Sequence, residues 1–131
     1  MKISRSTGYA LLAMGYIAKN KEKNITLSSE ISEAYDIPLA YLLKIMLQLA
    51  RANILKSKRG PRGGFSLVKP SNKITMLEII EAIEGPMSGM ALFDETPDKK
   101  YCNKANTANE KAINQAKAVY EKTMLSDLMK A

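Results

Sequence analysis

The fold is decided by residues 37–67, IPLAYLLKIMLQLARANILKSKRGPRGGFSL, in which a helical pattern is followed by two strand patterns. From about Pro38 to Ala52 the apolar side chains recur at helical spacing. Proline suits the first turn of a helix because its missing N–H would lack a partner there. Apolar and polar residues then alternate over 54–58 and 65–68, around a loop rich in glycine and proline. This stretch therefore predicts a helix followed by a β-hairpin.

A second, shorter helix is predicted just before this one. It runs from Leu27 to about Ala34, with Thr26 as the expected N-cap, and leads into the tight turn Tyr35-Asp36-Ile37. Two short helices joined by a tight turn are typical of a helix-turn-helix, and a hairpin that follows them is a wing. The sequence thus predicts a recognition helix over about 38–52 and a wing over Arg59–Gly64.

The flanking segments complete a mainly α fold with one small β-hairpin. Residues 5–20 show one apolar helical face, and TMLE at 75–78 matches a capping box that starts a fourth helix. Residues 87–108 show no periodicity and are predicted to be loop, whereas about 109–129 return to helix. We expect a winged helix-turn-helix domain over 1–84, an effector- or cluster-type loop over 85–108 and a dimerisation helix over 109–131.

The last predicted helix carries an apolar stripe that needs a partner. A long helix after a long loop depends on tertiary packing for its stability. Pairing with the same helix of a second copy would bury the stripe, and packing back onto the same chain is the alternative. The residues of this predicted dimerisation stripe are Ile113, Ala116, Tyr120, Met124 and Leu128.

Composition excludes several classes of function. The chain has 131 residues, which suits one domain, and it contains no histidine and one cysteine. Catalysis by histidine, an intramolecular disulfide and a cage of cysteine ligands are therefore ruled out within one chain. We expect no enzyme, no catalytic residue and no metal site. The first twenty residues are too polar to span a bilayer and show no cleavage site, so we expect a cytoplasmic protein without membrane contact.

The positive charge is concentrated in the first half of the chain. The net charge is +7, and residues 1–70 carry twelve Lys and Arg against four acids. No acid occurs between Asp36 and Glu78, a window that holds eight basic residues. Such a surface attracts a polyanion such as nucleic acid or an anionic membrane, although most charge runs are only solvated faces. We predict that the partner is double-stranded DNA.

The predicted DNA-binding residues fall into three groups. Some lie near the start of the recognition helix, some are basic residues around it that are expected at phosphates, and the others lie on the wing. The complete predicted set is Lys2, Arg5, Leu39, Ala40, Tyr41, Lys44, Arg51, Lys56, Lys58, Arg59 and Arg62. Leu43 also lies near the start of the recognition helix and is expected to approach the major groove with its neighbours.

Several motifs resemble one family. The stretches IPLAYL at 37–42, ANILKS at 52–57 and RGPRGGFSL at 59–67 are similar to those of the IscR/NsrR/CymR family of bacterial winged-helix regulators. The arginine–glycine wing is the most specific of them. The resemblance implies a transcriptional regulator, expected to be a repressor, that binds a dyad-symmetric promoter site as a homodimer. It also implies that the recognition helix enters the major groove and that the wing, with Arg59, enters the minor groove.

The resemblance also raises the question of a cofactor. Many relatives carry three cysteines before the last helix and bind an iron–sulfur cluster, whereas this chain has only Cys102. We therefore expect no cofactor, and we place any small-molecule or protein effector at the loop 85–108. Two alternatives stay open. The fold can serve as a module for protein or RNA contacts, or Cys102, beside several lysines, can act as a thiol-redox sensor rather than a plain surface cysteine.

Overall fold

The computed structural model describes residues 3–20, 22, 24–60, 64–88, 92–93 and 98–130. Within these ranges the chain is mainly α-helical with one antiparallel hairpin, as the sequence predicts. In chain order the elements are α1 (Arg5–Lys19), α2 (Ser28–Tyr35), α3 (Leu39–Arg51), β1 (Leu55–Lys58), β2 (Gly64–Leu67), a 3-10 helix (Ser71–Lys73), α4 (Met76–Glu84), α5 (Lys99–Lys122) and α6 (Leu125–Leu128).

The core lies where α1, α3 and α4 pack against one another. The apolar face predicted for α3 is confirmed, since the apolar residues that recur there at helical spacing are buried, namely Leu42, Ile45, Met46 and Leu49. Side chains at helical spacing bury one face of each helix and leave the other to solvent. The buried residues of these three helices include Met14, Ile17, Leu42, Ile45, Met46, Leu49 and Ile79.

The hairpin is joined to the helical core by one extra backbone pairing. Leu55 lies opposite Leu67 and Lys58 opposite Gly64 in the register of β1 and β2. At the edge of β2 that does not face β1, Thr26 and Phe65 exchange two backbone hydrogen bonds of 2.8 Å. The expectation that Thr26 caps α2 is therefore wrong: Thr26 is committed to this pairing, and Leu27 holds the cap position without a side-chain hydrogen bond.

The C-terminal half differs from its prediction. The segment 99–108, expected to be loop, forms the first turns of α5, which begins after the N-cap Asp98. Helix α5 ends at Lys122 rather than continuing to 129. Backbone bonds from Met76 N to Thr123 O (2.7 Å) and from Leu125 N to Ile74 O (2.8 Å) hold the chain beside the start of α4. These two bonds end the helix because they take the backbone groups that a longer α5 would need.

As a consequence, the predicted dimerisation stripe is split. Met124 lies in a backbone bridge with Thr75, and Leu128 lies on the short α6. Ile113, Ala116 and Tyr120 remain on α5, on its half-buried side. A single continuous stripe from 113 to 128 is therefore wrong. Among the helices of the described ranges, none combines the length and apolar character needed to cross a membrane.

Candidate nucleic-acid interface

The turn between α2 and α3 fixes the position of the predicted recognition helix. Asp36 adopts a left-handed conformation, with φ of 52°, and Ile37 after it is buried. Ile37 N donates to Ser32 O at 3.1 Å, and the Ser32 hydroxyl donates back to Ile37 O. Asp is one of the few non-glycine residues that tolerate this backbone region. The two helices are thus held at a tight, ordered corner, as in a helix-turn-helix.

Helix α3 presents a continuous exposed face. Leu42, Ile45 and Leu49 point into the core. Because successive residues of an α-helix are rotated by about 100° around its axis, a different set of residues lies on the side that faces away from the core. Those at the centre of the outer side, all exposed, are Ala40, Leu43, Lys44, Leu47 and Arg51. Of these, Leu47 was not singled out from the sequence, although its spacing of four residues from Leu43 would have indicated it.

Tyr41 is held at the edge of this face rather than at its centre. Its hydroxyl is hydrogen-bonded to the hydroxyl of Ser6 on α1. Its ring also meets the ring of Tyr9 edge-on, with centroids 5.7 Å apart and an interplanar angle of 88°. These contacts join α1 to the start of α3, so Tyr41 helps to position the helix. Leu39 lies on the other edge and is 42% exposed.

The wing carries its cations outward. Along β1, Leu55 is buried while Lys56 and Lys58 are exposed, as expected for alternating faces of a strand. Arg59 follows at the start of the hairpin loop and is also exposed. Gly60 has φ of 107°, a conformation that residues with a Cβ rarely adopt. The backbone therefore turns directly after Arg59, which is the last cation of the wing within the described range.

The predicted cations within the described ranges are exposed and make no ion pair there. Arg5 lies on α1, Lys44 and Arg51 lie on α3, and three further cations lie on the wing. The ion pairs in the described ranges join Lys69 to Glu78 and Lys130 to Asp127, so none involves the predicted DNA-binding residues. Of the predicted set, Lys2 and Arg62 lie outside the described residues.

Cys102 does not lie at the surface. Its residue is 3% exposed on the inner side of α5, close to the N-terminal end of that helix. A thiol at this depth is shielded from oxidants and from a partner thiol, since reactive cysteines are solvent-accessible. The expectation of a plain surface cysteine is therefore wrong.

The outer side of α5 shows a different stripe from the predicted one. Tyr101 and Val119 are 69% and 63% exposed, and Ala108 and Ala112 between them are exposed too. The spacings of seven, four and seven residues place all four on one line along the helix, as at the seam of a coiled coil. Ile113, by contrast, lines a cleft of about 200 Å³ with Ile80 of its own chain. The heptad spacing was readable in the sequence, but alanine is too weakly apolar to mark it.

A helix-turn-helix with a basic hairpin directly after its second helix defines the class of winged-helix nucleic-acid-binding proteins. Comparison with known proteins supports this class. Over residues 3–131 the chain matches the family Rrf2, described as iron-dependent transcriptional regulators. The chain belongs to the Rrf2 family of transcriptional regulators.

Individual relatives support this assignment. An HTH-type transcriptional regulator of Aquifex aeolicus is 41% identical over 62% of this chain and 56% of its own. The HTH-type regulator IscR of Cereibacter sphaeroides is 36% identical over 69% of this chain and 59% of its own. The matched region thus spans less than two thirds of either relative. The structure of CymR, the global cysteine regulator of B. subtilis, has a TM-score of 0.80 at 30% identity and covers 98% of this chain and 96% of that one.

The family's description names iron, but the residues of this chain do not fit an iron–sulfur cluster. Such clusters are held by several cysteine thiolates, with histidine as an occasional substitute. The chain has one cysteine and no histidine. That single thiol is buried in α5. A second copy of the chain adds only one more thiol, so two ligands are still missing.

Proposed function

We propose that this chain is a homodimeric repressor that binds a dyad-symmetric site in duplex DNA. Helix α3 enters the major groove, and the wing enters the adjacent minor groove through Arg59. Exposed cations on α1, α3 and β1 contact phosphates and set the register. Repression follows if the site overlaps a promoter, because a bound dimer then excludes the polymerase.

The observation that carries the proposal is the exposed face of α3 next to the unpaired cations of the wing. Lys44 and Arg51 lie on this face, and Lys56, Lys58 and Arg59 follow directly along the chain. Ion pairs within the protein would oppose phosphate binding, and in the described ranges these residues form none. A second helix of a helix-turn-helix fits the major groove, which is about 12 Å wide.

The homodimer is supported by the outer stripe of α5. A helix of 24 residues is about 36 Å long, and in α5 only Cys102 is buried. The stripe of Tyr101, Ala108, Ala112 and Val119 lacks a partner within the described part of the chain. Pairing with the same helix of a second copy buries this stripe and places two recognition helices about a common axis.

We further propose that DNA binding needs no iron–sulfur cluster. The ligand set for one is missing from the sequence, as shown above. Any effector that regulates this chain then acts without an iron–sulfur cluster. The segment after α4 is its proposed position, because residues 85–98 connect the DNA-binding part to α5 along the chain.

The test is a selection of duplexes from random DNA by the purified chain, followed by a salt titration on the selected sequence. We expect an inverted repeat and a log–log salt slope of about −6 to −10, as for a dimer with that many phosphate contacts. Weak binding that ignores sequence would overturn the proposal, as would a preference for single-stranded RNA over the duplex. A protein that needs an added cluster to bind would contradict the cofactor proposal alone.

A further inference from the structure

The centre of the outer face of α3 is apolar, although cations surround it. Leu43 is 37% exposed and Leu47 is 47% exposed, and both lie on the side opposite the buried Leu42, Ile45 and Leu49. Ala40 precedes Leu43 by one turn on the same face. Leu43 and Leu47 are four residues apart and therefore neighbours on one side of the helix. Any partner that binds α3 through this face covers both.

The charges around these leucines indicate what covers them. Lys44 and Arg51 lie on the same face, and no acid occurs from residue 37 to residue 77. An apolar protein surface would gain nothing from this ring of positive charge. A DNA groove meets both requirements, because phosphates border it and methyl groups lie on its floor.

Direct polar readout by this face is limited. Tyr41, the polar residue of the first turn, has its hydroxyl bonded to Ser6 and its ring packed on Tyr9. Lys44 is then the one side chain in the first two turns of α3 that can donate to a base edge. Leucine and alanine neither donate nor accept hydrogen bonds. They favour the C5-methyl group of thymine and disfavour base edges whose donors and acceptors they would leave without water.

We infer that Leu43 and Leu47 of α3 recognise the methyl groups of thymines in each half of the bound site, with Ala40 allowing the helix to approach closely. The inference rests on the proposed function and names the chemical group that specifies the site. Burial of one methyl-sized group contributes about 0.8 kcal/mol, which corresponds to about fourfold in affinity. One such contact in each of two half-sites therefore gives about 15-fold discrimination.

The experiment replaces thymine by deoxyuridine in the duplex obtained by selection. Deoxyuridine keeps base pairing and the O4 acceptor but lacks the C5-methyl group. Each thymine is replaced in turn, together with its symmetry mate, and binding is titrated at fixed salt. We expect a loss of about 15-fold at one or two positions in each half-site and almost no change elsewhere. The salt slope stays the same, because no phosphate contact is altered.

Variants of the protein link this loss to the two leucines. Leu43→Ala and Leu47→Ala remove the apolar side chains and keep a good helix former, so both should fold. For each variant we expect one pair of thymine positions, the pair that the replaced leucine contacts in the wild-type protein. At these positions the variant should bind the thymine and deoxyuridine duplexes with nearly equal affinity. Leu12→Ala is the matched control: Leu12 is 43% exposed on α1, away from this face, and the variant should keep the full discrimination.

The outcomes separate this inference from the proposed function. If the selected inverted repeat binds with a steep salt slope but no deoxyuridine substitution matters, the inference is wrong and the DNA-binding function stands. If no duplex is selected, both are wrong. If Leu43→Ala and Leu47→Ala abolish self-association in sedimentation experiments and leave the discrimination intact, the leucines cover a protein contact and the inference is overturned.

Discussion

At the scale of single residues, one carboxylate joins the two ends of the DNA-binding half. Glu84, at the end of α4, accepts hydrogen bonds from the hydroxyls of Ser4 and Thr7 and from Ser4 N at 3.0 Å. Ser4 is also the N-cap of α1, and Thr7 is fully buried. The negative charge therefore lies at the positive end of α1, where it is favourable. This group of three residues holds α1 against α4.

Glu84 gives a prediction for pH. The hydroxyl of Ser4, then the hydroxyl of Thr7 and the Ser4 N–H, hold the pKa of Glu84 below its usual value. A carboxyl group whose pKa is lowered in the folded protein stabilises the fold at pH values above its pKa in the unfolded chain, which is about 4.3 for glutamate. This stabilisation is lost as the pH falls through the lowered pKa of the folded protein. We expect Glu84→Gln to lower the melting temperature at pH 6 by a few degrees and to have a smaller effect near pH 3. Thermal unfolding at both values checks this. Glu33→Gln, on the exposed side of α2, should show no such difference.

Gly64 gives a second prediction at this scale. A Cβ placed on Gly64 would lie 2.6 Å from the carbonyl oxygen of Thr26, and backbone cannot move aside easily. We expect Gly64→Ala to destabilise the chain by about 1–3 kcal/mol, as overpacking does. Urea unfolding measures it. Gly15→Ala in α1 is the matched control: nothing lies within 4 Å of its Cβ position, so it should leave stability unchanged or raise it slightly.

At the scale of elements, the hairpin serves two purposes. Its inner side is part of the fold, since Leu55 and Phe65 are buried and Phe65 pairs with Thr26. Its outer side carries Lys56 and Lys58 into solvent. A two-stranded hairpin is only marginally stable alone, so the packed side is what makes the exposed side a fixed binding element. Arg59 is thereby presented from a rigid base.

The wing prediction concerns Arg59. An arginine in a narrow A·T-rich minor groove gains from its strong negative potential. We expect Arg59→Ala to weaken binding to the selected duplex by about 10- to 100-fold and to reduce the salt slope by about 1 or 2 in the dimer, with folding unchanged. Fluorescence anisotropy at several salt concentrations measures both quantities. Lys19→Ala, at the exposed end of α1, is the control. Equal affinities for the two variants would contradict the wing assignment.

At the scale of the whole molecule, the excess positive charge and the proposed dimerisation stripe lie in different regions of the chain. Residues 1–70 hold the entire excess of positive charge, whereas residues 71–131 carry eight Lys against nine acids. The second region contains α5, whose outer stripe is exposed and weakly apolar. In the proposed dimer, this separation lets the two copies of α5 pair without bringing the basic surfaces together. The two recognition helices of that dimer are then free to face the DNA.

The prediction for the whole molecule tests the stripe of α5. Val119→Glu places a charge where two copies of α5 are proposed to meet, and an unpaired buried charge is strongly unfavourable. We expect a monomer by sedimentation and a loss of at least 100-fold in affinity for the inverted repeat. Asn114→Glu makes the same charge change on another exposed side of α5 and should remain a dimer. A dimeric Val119→Glu variant would show that the interface lies elsewhere.

Much of the DNA-binding half was determined by its sequence. The apolar period of α3, the turn at Asp36 and the alternation in the wing are local patterns, and local patterns suffice where each element buries one face. The cations of this half could be found because no acid interrupts them between Asp36 and Glu78. The same reasoning identified the capping box at Thr75, which is present with both of its hydrogen bonds.

Tertiary structure decided the remainder. The start of α5 at Lys99 was missed because its first turns are rich in Lys and Asn and carry few large apolar residues, so no period marks them. The end of α5 at Lys122 depends on hydrogen bonds to Ile74 and Met76, some fifty residues away in the chain. Thr26 behaves likewise: its sequence context favours a helix cap, but pairing with Phe65 satisfies its backbone instead. Backbone groups take the partners that packing brings to them, and a sequence shows only those that are close along the chain.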